Sequence, residues 1–251
     1  GIYYRMLAAA RGNRKRVQHF TSFVGELTEV STIEMIEDAH ARAQREHLNV
    51  GRVLPARRLR SGDESIDLFV RDSGDVVAVE ISSSRITADT RFTGDLEALQ
   101  RDLEMVVLKR VVQLDRTIAA IRNDEFDDMP DVEIKRIFPV IVNVEPMRWT
   151  PMLHAYLHRE VPGLLRQPGV QPLQFIEIED MEALMSVIGP RSLPWLIDRK
   201  LQDSDMDAEF LQWFLDSPLA PTPDRPALLT EQLDRQFDTM VETLGFDTAD
   251  L

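Results

Sequence analysis

"SIDLFVRDSGDVVAVEISSS", residues 65–84, decides the fold. Two β-branched runs flank "DSGD", and Ser73-Gly74 at its centre reads as a two-residue turn joining antiparallel strands. With Asp72 and Asp75 flanking that turn, Asp67 falls directly opposite Glu80. Directly opposed residues hold their Cβ atoms roughly 4.5–5.5 Å apart on one face of the pair. Two carboxylates so close raise each other's pKa unless a cation lies between them. A divalent ion resolves the conflict, since Mg²⁺ takes one or two carboxylates and completes its octahedron with water and phosphate oxygens. The competing arrangement leaves Asp67 and Glu80 on a solvated face and turns Leu68, Val70, Val77, Val79 and Ile81 to the core. Helices packed across the acidic face distinguish the two.

Outward from the hairpin, the spacing of Phe20, Phe23, Val24, Leu27, Ile33, Ile36 and Ala39 predicts one long amphipathic helix from Gln18 to Glu46. "GRVLPARRLR" (51–60) supplies a strand before the hairpin, and "DLEALQRDLEMVVLKRVVQLDRTIAAIR" (95–122) a second long helix. Asp95 and Glu97 stand in its first turn, where the helix dipole favours negative charge. "EIKRIFPVIVNVE" (133–145) is a continuous apolar run, typical of a strand covered on both faces. Thr150-Pro151 opens a helix, "LQFIEIE" (173–179) gives another strand, and Asp180 opens a helix that Gly189 closes. This order predicts an α/β protein with a mixed central β-sheet flanked by helices. Residues 1–204 form that domain, and 205–251, with the connector "SPLAPTPDRP", a helical C-terminal cap.

At 251 residues with 43% hydrophobic content the chain can bury a sizeable core. It begins with Gly rather than Met, reads as a piece of a longer protein, and shows neither a signal peptide nor a membrane span. The absence of cysteine rules out disulfides, thiolate metal sites and a cysteine nucleophile, and fits a reducing, cytoplasmic setting. A net charge of −14 speaks against a surface that is phosphate-binding throughout. Residues 1–60 nevertheless hold 11 Lys/Arg against 6 Asp/Glu, so nucleic-acid contacts fall to Arg14, Lys15 and Arg16 and to Arg57, Arg58 and Arg60. Solvated helix ends and edge strands give the same runs a plainer reading.

A helix bearing "ELTE", a hairpin with Asp67 in "SIDLFV" and Glu80 in "AVEIS", and a following helix with "KRVVQL" together resemble the core of the PD-(D/E)xK, restriction-endonuclease-like nuclease superfamily. Gly25 and Glu29 fit the "G-x-x-x-E" pattern that some bacterial members carry on the first helix. The likeness spans about residues 18–145 and lies in the order and spacing of short motifs. It implies a restriction-endonuclease-like core, Mg²⁺ or Mn²⁺ held by Asp67 and Glu80 with Glu29 adding a ligand or water contact, and DNA as partner, in bacterial defence or DNA processing.

The motif lysine falls on Ser82, whose hydroxyl cannot supply an ammonium's charge. The chain has only Lys15, Lys109, Lys135 and Lys200, and in a regular helix Lys109 shares a face with Asp102, Val106 and Gln113. Two readings follow. In one, Lys109 and Gln113 complete a phosphodiester-hydrolysing site with Asp67 and Glu80. In the other, the fold has lost hydrolysis and serves as a nucleic-acid-binding or protein-assembly module, with a protein partner or a preceding domain of a longer chain. His154 and His158 have the i, i+4 spacing of a zinc pair but no evident third ligand, and Trp149, Trp195 and Trp213 read as packing aromatics. Phosphate-loop, nucleophile-elbow and dinucleotide fingerprints are absent.

Overall fold

The computed structural model describes residues 14–46, 48, 51–55, 65–84, 90, 95–123, 125–126, 133–144, 159, 161–189, 191–203, 210 and 213–214. Helix α1 (Arg14–Arg45) leads into strands β1 (Arg52–Pro55), β2 (Leu68–Asp72) and β3 (Asp75–Ser82). The second long helix comes in three pieces: α2 (Leu96–Leu103), a π-helical turn (Glu104–Leu108) and α3 (Lys109–Arg122). Strands β4 (Arg136–Asn143) and β5 (Gln174–Glu177) follow, then α4 (Ile178–Val187) and α5 (Leu193–Leu201). The five strands form one sheet in chain order, antiparallel from β1 to β3 and parallel from β3 to β5. This is the mixed, helix-flanked α/β sheet that the element order predicts. Among the described residues no helix is long and apolar enough to cross a membrane.

The hairpin register is the expected one: Asp72 pairs with Asp75, and Leu68 with Val79. Ser73 takes the left-handed turn position at φ 55°. Alternation then divides β2 and β3 between two cores. Leu68, Val70, Val77, Val79 and Ile81 pack beneath α1, α4 and α5, while Phe69, Val76 and Ala78 pack beneath α2 and α3. Both faces of the sheet are therefore covered, and an acid on the second face lies under a helix. Arg71 and Glu80 are the charged residues that β2 and β3 bury.

At Gly25, α1 passes close to the chain just after β3. A Cβ there would sit 2.8 Å from Ser83 Oγ, just beyond the end of β3. The glycine lets the helix cross the strand end closely, with Glu29 one turn further on. Helix α4 begins at Ile178, two residues before the expected Asp180, which lies in its first turn. Of the expected C-terminal cap, Phe210, Trp213 and Phe214 pack into the core shared with α1 and β4. The helix after Thr150, with His154 and His158, lies outside the described residues, as do Trp149 and the rest of 205–251.

At the turn end of the hairpin, Arg136 of β4 donates through Nε and Nη2 to Asp75 (3.0 and 2.6 Å) and through Nη1 to Asp198 of α5 (2.6 Å). One planar fork thus ties β3, β4 and α5 together. Arg136→Ala leaves two aspartates facing each other without their shared cation. The expected loss is about 1–2 kcal/mol, because the cluster is partly solvent-screened, and denaturant unfolding monitored by circular dichroism measures it.

Candidate active site

Strand β2 stops pairing at Leu68, and Asp67 bends out of the ladder just before it. Its carboxylate takes over the pairing there: Oδ2 accepts a hydrogen bond from the Ile81 N–H at 2.6 Å. Asp67 is half-buried, and the bond pins it against the strand that carries Glu80. Glu80 is 1% exposed, on the same sheet face as Ala78 and beneath the second long helix. The solvated arrangement of the two acids is thereby excluded.

Glu80 Oε1 accepts a hydrogen bond from Arg110 Nη1 at 2.5 Å. Its other oxygen, Oε2, is buried and has no hydrogen-bond partner among the described residues. Burial pushes the Glu80 carboxyl up to about 8, the nearby Asp67 adds to the rise, Arg110 opposes it, and Glu29 contributes a smaller push upward. Without a metal the site thus favours the protonated form of Glu80 far more than water does.

The cation of the site is one residue away from where regular helix periodicity puts it. Lys109 is exposed, and Arg110 reaches Glu80. The reason is the π-helical turn at Glu104–Leu108, which absorbs one extra residue and rotates everything after it by about one position. Lys109 thus leaves the face of Asp102 and Val106, and Arg110 replaces it there. Gln113, one turn on, donates through Nε2 to the Ser65 carbonyl at 3.2 Å and ties down the segment leading into Asp67. Ser82 is fully buried, and its Oγ has no partner among the described residues.

Glu29 is half-buried on α1 and is felt electrostatically at Glu80. Among the described residues no three His, Asp or Glu side chains converge as a ready-made metal cage. Of the three expected ligands, Asp67 and Glu29 both act electrostatically on Glu80, Asp67 the more strongly. Lys15 and Arg16 are exposed in the first turn of α1, where Arg14 is the first helical residue; Arg57, Arg58 and Arg60 lie outside the described residues. Trp213 is a packing residue whose Nε1 donates to Asp203 at 3.2 Å, and Trp195 lies beneath the Arg191 guanidinium, 4.7 Å from its ring centre.

No protein-family model matches the chain. No curated protein matches it either. Among solved structures, the small subunit (R.BspD6I2) of the heterodimeric restriction endonuclease R.BspD6I is similar over 72% of this chain and 92% of that one, at 9% sequence identity and a TM-score of 0.33.

Proposed function

We propose that this chain is a metal-dependent nuclease domain that hydrolyses phosphodiester bonds of DNA with Mg²⁺ or Mn²⁺ at Asp67 and Glu80. The observation that carries the reading is Glu80 Oε2, a buried carboxyl oxygen without a partner among the described residues, next to Asp67, which is tied to the neighbouring Ile81 N–H. An oxygen so placed is costly to leave unsatisfied, and two carboxylates suffice for a hard divalent cation that keeps waters and substrate oxygens in its shell. Such an ion, when bound, polarises a phosphoryl oxygen and lowers the pKa of bound water.

The chain's own residues do the positioning. Ile81 N–H orients Asp67, Arg110 orients Glu80, and Gln113 steadies the backbone ahead of Asp67. In the net reaction a water oxygen bonds to phosphorus and the ester P–O bond breaks. One proton passes to solvent, and the leaving alkoxide takes one up. Lys15 and Arg16 stand 14 and 13 residues before Glu29 on the same helix, about 20 Å along its axis. A duplex lying against the acid pair meets them as backbone contacts.

Incubating the protein with supercoiled plasmid and with single-stranded DNA, in Mg²⁺ or Mn²⁺, tests the reading. Cleavage that Asp67→Ala abolishes is the expected result. A second reading, a nuclease fold retained for protein assembly, draws on Ser82 in the lysine's place and on Phe23, Leu27 and Val30, exposed along one face of α1. No cleavage, together with no rise in melting temperature on adding Mg²⁺, favours that alternative.

A further inference from the structure

We infer that Arg110 is the working cation of this site: it holds Glu80 through one N–H and presents its remaining donors to a phosphodiester oxygen of the substrate. The inference rests on the nuclease reading and gives the missing lysine's charge role to a residue from another element.

Three observations converge on it. Arg110 Nη1 meets Glu80 Oε1, so the guanidinium stands at the acid pair itself. Its side chain is 29% exposed while Glu80 is 1% exposed, so one end of the pair is buried and the other open to an incoming ligand. Its Nε and Nη2 make no hydrogen bond among the described residues, leaving N–H groups in the planar fork that matches a phosphate. The π-helical turn adds a structural argument. It sits immediately before Lys109 and Arg110, and its local cost brings the guanidinium rather than the ammonium onto the buried acid.

The chemistry differs from a lysine's in one respect. A guanidinium stays protonated and cannot take the proton of the attacking water. Arg110 therefore offsets negative charge developing on the phosphoryl oxygens and does no base work.

Calorimetric titration with Mn²⁺ and plasmid cleavage at saturating Mn²⁺, run on wild type, Arg110→Met, Arg110→Lys and Lys109→Met, test this. Arg110→Met removes a positive charge beside two carboxylates, so Mn²⁺ should bind several-fold more tightly. Cleavage should meanwhile fall about 100-fold or more, the usual consequence of losing one transition-state donor. Arg110→Lys should lie between, keeping the charge but not the fork. Opposite movement of affinity and rate is something a merely structural residue does not produce. Full cleavage by Arg110→Met overturns the inference, as does loss of cleavage in Lys109→Met with Arg110→Met spared. So does Arg110→Met losing folding and Mn²⁺ binding while Arg110→Lys matches wild type. Each of those leaves the nuclease reading standing, whereas wild-type protein that neither binds Mn²⁺ nor cleaves sinks both.

Discussion

Glu80→Gln is expected to make the metal-free protein more stable at pH 9, by on the order of 3 kcal/mol, while abolishing cleavage. The cause is the burial that pushes this carboxyl from its ordinary 4.5 up to about 8. Below pH 4.5 the group is protonated in both folded and unfolded chains, and its full contribution to stability is present. As pH rises from 4.5 towards 8, the unfolded chain gives up the proton and the folded one keeps it, so stability is progressively lost. Above 8 the folded site carries the buried charge and the loss is complete. Glutamine keeps the shape without a titrating proton, so the variant lacks this slope. His40 imposes the opposite one at lower pH. It is buried, burial lowers its pKa from 6.5, and its Nε2 has no partner among the described residues, so its contribution is present above 6.5 and lost as pH falls. Urea unfolding at pH 7 and pH 9 isolates the Glu80 effect. A parallel pH dependence in wild type and Glu80→Gln would contradict it.

Asp67→Asn should reduce cleavage by more than about 100-fold, since losing a direct ligand exceeds the 10–100-fold cost of losing its outer-shell partners, while leaving the fold intact. Asparagine can still accept the bond from the Ile81 N–H, so the strand keeps its tie at this point. The negative charge that helps raise the Glu80 pKa is gone, so that carboxyl titrates lower than in wild type. Asp67→Ala, by contrast, removes the acceptor as well and is expected to cost about 1–3 kcal/mol for the orphaned amide. Comparing the two by thermal melting and plasmid cleavage separates the acid's structural work from its chemical work. Asp67→Asn that cleaves at the wild-type rate would remove Asp67 from the site.

The hairpin that positions the candidate site was legible in the sequence because its geometry is discrete. A two-residue turn centred on Ser73-Gly74 leaves one register, and Leu68 opposite Val79 realises it. The cover over the acid face was legible from the apolar positions of residues 95–122, which form the core around Ala78. What could not be read was which cation arrives. "EMVVLKR" carries no proline, glycine or other mark of an interrupted helix, and regular 3.6-residue periodicity points to Lys109. The π-helical turn depends on tertiary fit, here the burial of Val106, Val107 and Val111 against the sheet, and it moves the assignment to Arg110. The burial of Phe210, Trp213 and Phe214 in the core that includes β4 was hidden for a related reason: three large side chains show no period that would assign them to the main core.

Mn²⁺ calorimetry at pH 7 in two buffers of different ionisation enthalpy tests the central claim most directly. Asp67 and Glu80 forming one cation site, with Glu80 protonated beforehand, should give a single binding event in which close to one proton is released. The heat then changes with the buffer, and Asp67→Asn and Glu80→Gln lose the event. Absence of Mn²⁺ binding to the wild-type protein, or binding that both variants retain, would contradict the claim.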